Sequence, residues 1–223
     1  MFKAIIIGGT GATGKQLLNQ LIRNQNCDLV TSVGRRPVLD GEKNDKLVDI
    51  VVESLFKLSS TEKYWKDNDV FFNCIGSTRQ RAGGAKEFIN IESGISNEAA
   101  KMAANAKIPH ASLISAKGAN HKIWAKDWIH PLLYMKTIGQ KEQTIISNFS
   151  FNSVSIFKPG MLIRLQGKQT WFEHFSESKG FGLRVDILAS AMMHDSERVK
   201  LGLVEKSPQF FIGNSHIKGF LAL

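Results

Sequence analysis

The sequence predicts an α/β fold: a doubly wound parallel sheet with helices on both faces and a small C-terminal substrate or lid region. Three observations predict it. An apolar run, Phe2 to Ile7, passes directly into Gly8-Gly9-Thr10-Gly11-Ala12-Thr13-Gly14-Lys15. Leu17, Leu18, Leu21 and Ile22 then follow at helical spacing. Beyond them, strand-like and helix-like stretches alternate along the chain. Strands are expected at 2–7, 28–33, 47–52, 69–75, 110–115, 153–158 and 208–212. Helices are expected at 12–25, 53–66, 85–106, 131–147 and 184–194. Such alternation gives right-handed crossovers and a sheet covered on both sides. A length of 223 residues suits one domain, 1–223, in which 160–183 and the C-terminus form the small substrate-side region.

The first element carries the clearest chemistry. Strand, glycine turn and helix, in that order, are the context in which a glycine motif binds a dinucleotide. Gly8 allows the tight turn, Gly11 lets the backbone approach a pyrophosphate, and Gly14 lets the helix pack close to the strand. Thr10, Ala12 and Thr13 complete the loop. The helix start adds N–H groups and a positive dipole end for the phosphates. The spacing, G-x-x-G-x-x-G, resembles that of extended and atypical short-chain dehydrogenases.

The second strand selects the cofactor. An acid about twenty residues past the glycines would bind the adenosine ribose 2′-hydroxyl of NAD. The strand ends instead in Gly34-Arg35-Arg36-Pro37, and the next acid is Asp40. Arg35 and Arg36 offer planar, multi-donor forks suited to a 2′-phosphate, so NADP(H) is the expected cofactor. Asp49 and Ile50, ending the third strand, are expected near the adenine. Cys74, Ile75 and Gly76, ending the fourth, are expected to let the dinucleotide pass. All these segments fall at the carboxyl ends of strands, the edge at which open α/β sheets bind ligands.

Composition narrows the remaining classes. The formal net charge is +9. Its basic residues are spread out, with no Lys/Arg block longer than two, so nucleic-acid binding is not the expected role. No apolar run approaches a membrane span. The first strand begins at residue 2, so no signal or transit peptide is expected. Two cysteines, Cys27 and Cys74, and six scattered histidines give neither a disulfide framework nor metal-ligand spacing. Two aromatic stretches interrupt the alternation. Asn120 to His130 carries Trp124 and Trp128, and Gln166 to Gly182 carries Trp171, Phe172, Phe175 and Phe181. Each either packs on the core or lines a pocket. The apolar C-terminal Gly219-Phe220-Leu221-Ala222-Leu223 either docks on the core or contacts a partner.

The catalytic candidates are Ser115, in Ile114-Ser115-Ala116-Lys117-Gly118-Ala119, and Tyr134, in Leu133-Tyr134-Met135-Lys136-Thr137-Ile138-Gly139-Gln140-Lys141-Glu142. Together with the glycine loop, Gly34-Arg35-Arg36, Cys74 to Arg79 with Ala82-Gly83-Gly84, and Phe157-Lys158-Pro159-Gly160, these stretches resemble the Tat-interacting-protein oxidoreductase family of atypical short-chain dehydrogenases, which includes fungal mitochondrial relatives. The resemblance implies an NADPH-binding Rossmann domain with Tyr134 as proton donor, Ser115 steadying the substrate oxygen, and Lys158 and Pro159 beside the cofactor. It also implies a carbonyl substrate, protein partners, and a cytoplasmic, nuclear-envelope or mitochondrial-surface setting. A homodimer through surface helices is an open assembly.

The chain departs from that pattern at one position. Where the family has a lysine four residues after the tyrosine, this chain has Ile138. Lys136 points to another helix face, and Lys141 lies about 10 Å further along the helix. Two functions follow: a slow NADPH-dependent oxidoreductase, or an NADP(H)-binding sensor, scaffold or assembly subunit without turnover.

Overall fold

The computed structural model describes residues 1–39, 43–126, 130–165, 182–204 and 206–222. Within these residues seven strands form one sheet: β1 (Phe2–Ile7), β2 (Cys27–Gly34), β3 (Leu47–Val51), β4 (Val70–Asn73), β5 (His110–Ile114), β6 (Ser153–Lys158) and a last strand, Gln209–Ile212. The order runs β3-β2-β1-β4-β5-β6 and then the last strand, with every neighbouring pair parallel. A separate two-stranded piece pairs β7 (Leu162–Ile163) with β8 (Leu183–Arg184); the last strand is therefore β9. All seven expected strands lie in the main sheet.

Both faces of β1 are buried, which is why it reads as a continuous apolar run. Ile6 joins the core under α1 (Ala12–Arg23), with Leu17, Leu18 and Leu21. Ile5 and Ile7 join the core on the other face, with Phe71, Leu113 and Ile156. That second face is covered by a helical run: α2 (Arg79–Ala82), α3 (Ala85–Ile89), a π-helical segment (Asn90–Ile95) and α4 (Ser96–Asn105), followed later by α5 (His130–Asn148). The first face is completed by α6 (Val185–Lys200) and α7 (Asn214–Phe220). Ile217 and Phe220 are buried, and the Phe220 ring meets Phe211 at 4.6 Å. Of the two options for the C-terminal segment, this part of it docks on the core.

Two expected helices differ. Over 53–66 only a 3-10 turn, Ser59–Tyr64, forms. Leu55, Leu58, Thr61 and Trp65 are the buried residues there, so the helix-like spacing is real. Local polar groups bend it out of an α-helix: Thr61 Oγ1 donates to the Leu58 carbonyl at 2.6 Å, Trp65 Nε1 donates to Thr61 Oγ1 at 2.9 Å, and the Asn68 amide closes the segment on the Tyr64 and Trp65 carbonyls. Over 85–106 the expected single helix widens into the π segment, where Glu92 turns inward and is 1% exposed. Such bulges recur at functional sites. Of the two aromatic stretches, Trp124 is exposed, while Trp128, Trp171, Phe172, Phe175 and Phe181 lie outside the described residues, as does Asp40.

At the opposite, amino-terminal edge of the sheet, His110, Ser155 and Asp195 form a buried polar cluster. His110 Nε2 stands 3.1 Å from Ser155 Oγ and 3.5 Å from Asp195 Oδ2. Burial pushes the His110 pKa down to about 3. Burial also pushes Asp195 up to about 6, against the Ser155 hydrogen bond, the Arg198 charge and the Gln209 hydrogen bond. The two shifts oppose each other in the pH dependence of folding. Between about pH 4 and pH 6 the unfolded chain carries its proton on His110 and the folded chain carries one on Asp195, so their joint slope is near zero. Asp195→Asn removes the folded-state proton. Its stability then falls faster than that of the parent as pH drops below His110's unfolded pKa of about 6.5, by about 1.4 kcal/mol per pH unit. Urea denaturation of both proteins from pH 7 to pH 4.5 measures this difference; parallel profiles would refute it.

Candidate functional site

The turn from β1 into α1 leaves no room for side chains where the glycines predict none. Gly8 has φ +80°, and a Cβ there would stand 2.6 Å from the Cys74 carbonyl oxygen. A Cβ on Gly14 would stand 2.1 Å from the Gly8 carbonyl oxygen. Gly11 N–H donates to that same oxygen at 2.9 Å and closes the turn. Gly11 caps α1 with no side-chain hydrogen bond, and the first turn holds no acidic residue. The α1 N–H groups and the positive end of the helix dipole are therefore left for an anion.

This helix start opens on a cleft of about 690 Å³ at the carboxyl ends of the strands. Gly8, Thr10, Gly11, Ala12, Arg35, Arg36, Cys74, Ile75 and Gly76, all expected site residues, line it together. Thr13 and Gly14 are buried in the first turn of α1 beneath it. Arg35 and Arg36 are exposed and make no hydrogen bond or ion pair with a described residue. The Cys74 thiol is buried and pushed up to about 12 by burial, against the Lys141 charge, so it stays protonated and inert.

Asp49 and Ile50 do not line the cleft. Asp49 Oδ2 accepts from the Val38 N–H at 2.9 Å, so its carboxylate anchors the loop that carries the two arginines. Ile50 packs on the core of the second face. Strand alternation sends the two side chains to opposite faces of the sheet, and the chain just past the strand, Glu53 to Phe56, lines the cleft. Arg81, Glu87, Asn90, Ile91 and Arg164 complete it. Arg81, Glu87, Asn90 and Ile91 come from the helical run over the second face, and Glu53 to Phe56 and Arg164 from the chain just past β3 and β7.

Lys158 and Pro159 do not line the cleft either. The Lys158 ammonium is buried and held by Glu142 Oε2 at 2.7 Å and the Ala119 carbonyl at 3.0 Å. The Pro159 carbonyl accepts from the Lys117 N–H at 2.7 Å. Ser115 Oγ donates to the other oxygen of Glu142. Serine, glutamate and lysine thus form one buried chain, and the serine proton is already committed. Next to it on α5, Lys141 is 2% exposed. It donates to Glu92 Oε2 at 3.1 Å and to the Ile75 carbonyl at 2.9 Å, while Glu92 Oε1 accepts from the Ser77 N–H at 2.5 Å. This second network ties the tip of β4, a wall of the cleft, to the π segment. Thr137, Ile138, Lys141, Glu142 and Ile145 form one buried stripe of α5; their helical spacing is a sequence signal that Lys141 and Glu142 face inward, though not of the partners they meet.

Tyr134 stacks on Phe88 of α3, with ring centroids 5.8 Å apart and planes 23° apart. Burial raises its phenol pKa, the Glu92 charge raises it further, and the Arg164 charge lowers it. The position four residues on, Ile138, is 3% exposed and offers no charge.

No protein-family model matches the chain. It is 35% identical over 161 residues to protein FMP52-1, mitochondrial, of Scheffersomyces stipitis, covering 72% of this chain and 67% of the relative. It is 32% identical to protein FMP52, mitochondrial, of Meyerozyma guilliermondii, covering 72% and 65%. It is 30% identical to protein HTATIP2 of Rattus norvegicus, covering 71% and 62%. The match thus spans slightly less than two thirds of the length of several of these relatives. Among solved structures, a dTDP-glucose 4,6-dehydratase, DesIV, from Streptomyces venezuelae superposes with a TM-score of 0.68 at 12% identity, over 98% of this chain and 80% of that one. The oxidoreductase ylbE from Lactococcus lactis superposes with a TM-score of 0.63 at 14% identity, over 86% and 83%. These structures share the fold, and the closer sequence relatives place the protein: the chain belongs to the family of atypical short-chain dehydrogenase-like proteins that includes the fungal mitochondrial FMP52 proteins and HTATIP2.

Proposed function

We propose that the chain binds NADP(H) and that Tyr134 and Ser115 serve a slow reduction of a carbonyl substrate. One observation carries this reading: the uncapped start of α1 and the two arginines at the tip of β2 line the same cleft. The residues fit the cofactor. The α1 N–H groups suit a pyrophosphate, and Arg35 and Arg36 suit a 2′-phosphate. Bound NADPH supplies a hydride. Tyr134, held protonated at neutral pH by burial and by Glu92, can give its proton to a substrate oxygen. Ser115 donates its proton to Glu142, which leaves lone pairs on its oxygen able to accept a hydrogen bond. A small substrate-side region, built from 160–183 and the C-terminus, belongs to this same reading.

Ile138 favours a second reading, in which the protein binds NADP(H) without turnover as a sensor, scaffold or assembly subunit. A cation at that position would stabilise the phenolate; buried isoleucine does not. The names of the FMP52 relatives support a mitochondrial-surface setting. Among the described residues no helix is long and apolar enough to cross a membrane.

Calorimetry tests the shared core of both readings. NADPH is expected to bind more tightly than NADH, and Arg35→Ala is expected to weaken NADPH by about 1.5–3 kcal/mol with little effect on NADH. Equal affinities in the parent protein would overturn the 2′-phosphate assignment. Consumption of NADPH over a panel of aldehydes, ketones and quinones, lost in Tyr134→Phe, separates the enzyme from the binding protein.

A further inference from the structure

The turn that carries the two arginines is fastened to β3 at both ends. On the near side, the Gly34 carbonyl accepts from the Val52 N–H at 2.8 Å. On the far side, the Val38 N–H donates to Asp49 Oδ2 at 2.9 Å. Arg35, Arg36 and Pro37 lie between, all exposed. The turn folds back tightly, since a Cβ on Gly34 would stand 3.3 Å from the Arg36 carbonyl oxygen. Its far end also meets the glycine loop: a Cβ on Gly9 would stand 3.1 Å from Val38 Cγ1. Gly9, Arg35, Arg36 and Val38 line the same cleft.

We propose that Asp49 is a positioning residue for cofactor selectivity: by holding Val38, it fixes the arginine turn against the glycine loop, so that one dinucleotide meets two phosphate sites at a set separation. This rests on the reading of Arg35 and Arg36 as the 2′-phosphate site.

In that reading the α1 N–H groups take the pyrophosphate and the arginines take the phosphate on the ribose. The two anions belong to one molecule. The second contact forms at full strength only where the two sites keep their spacing. An exposed turn keeps its place through its ends. The Gly34 end is a bond between backbones, which a change of side chain leaves in place. The Val38 end depends on one carboxylate. Among the described residues that carboxylate makes no other hydrogen bond, and its Oδ1 is buried without a partner. A turn fixed beforehand loses less freedom when the phosphate arrives. Charge alone predicts the opposite effect. A carboxylate on the neighbouring strand repels a phosphate at the tip of β2, so its removal would strengthen NADPH binding. Acting through the turn, its removal weakens NADPH binding.

Two variants separate these effects. Asp49→Ala removes the hydrogen bond and the charge together, whereas Asp49→Asn removes the charge and keeps an acceptor. Calorimetry with NADPH and NADH reads the affinity ratio, and circular dichroism confirms the fold of each protein. The ratio of NADPH to NADH affinity is expected to fall about tenfold in Asp49→Ala. In Asp49→Asn it is expected to match or exceed that of the parent. In a background of Arg35→Ala with Arg36→Ala, adding Asp49→Ala is expected to weaken NADPH no further, which a general loosening of the fold would not produce. Trypsin gives a second reading without dinucleotide. It does not cut before proline, so cleavage in the turn falls on the Arg35–Arg36 bond. That bond is expected to be cut faster in Asp49→Ala and at the parent's rate in Asp49→Asn. An affinity ratio unchanged or raised in Asp49→Ala, an asparagine variant that behaves like the alanine variant, or unchanged cleavage would overturn the proposal and leave the 2′-phosphate reading standing. Equal NADPH and NADH affinities in the parent would remove that reading, and this proposal with it.

Discussion

Replacing Lys141 by methionine is expected to cost about 3–5 kcal/mol of folding stability, because it leaves Glu92 buried without its cation. Glu92 is 1% exposed, and its remaining partner is the Ser77 N–H. The loss is expected to come with weaker dinucleotide binding, since the Lys141 ammonium also holds the Ile75 carbonyl at a wall of the cleft. A double variant, Lys141→Met with Glu92→Gln, removes the stranded charge and keeps an acceptor for Ser77. It should recover much of the stability. Urea denaturation of the parent, single and double variants measures all three. A single variant within about 1 kcal/mol of the parent would show that the pair is not holding the site together.

The glycine loop is expected to separate folding from binding. A Cβ on Gly14 would stand 2.1 Å from the Gly8 carbonyl, and backbone cannot move away cheaply, so Gly14→Ala should fail to fold stably. A Cβ on Gly11 would stand 3.1 Å from that same carbonyl, which asks for a small local adjustment, and Gly11 has φ −75°. Gly11→Val should therefore keep its fold. Its side chain would occupy the approach to the α1 N–H groups, and NADPH affinity should fall about a hundredfold or more, about 2.7 kcal/mol. Circular dichroism and calorimetry on the same preparation read the two effects separately. A folded Gly11→Val protein that binds NADPH as the parent does would reduce the loop to a turn.

These expectations differ in how far they were legible beforehand. The strands of the sheet were readable because both faces of a parallel sheet are buried, which makes each strand a short apolar run. The glycine loop was readable because its function demands absent side chains at fixed spacing. The 53–66 segment was misread because its buried residues do recur at helical spacing, while hydroxyl and amide hydrogen bonds to nearby carbonyls bend the backbone away from a helix. Asp49 does stand at a strand end, and one oxygen of its carboxylate accepts from the Val38 N–H, a contact that spacing along the chain does not show.

By itself, the amino-acid sequence determined which residues lie on strands, where the chain turns into the phosphate-binding loop, and which cations stand at the tip of β2. Each of these follows from neighbours a few residues apart. The tertiary structure alone decided how the buried polar and charged groups are answered: Lys141 by Glu92 across 49 residues, the neutral Ser115 hydroxyl by Glu142 across 27, and Lys158 by Glu142 across 16. Spacing along a helix says that a lysine and a glutamate face inward, but not what they meet there. A buried charge is tolerated only when a partner neutralises it, and here those partners sit on other elements that the sheet brings together.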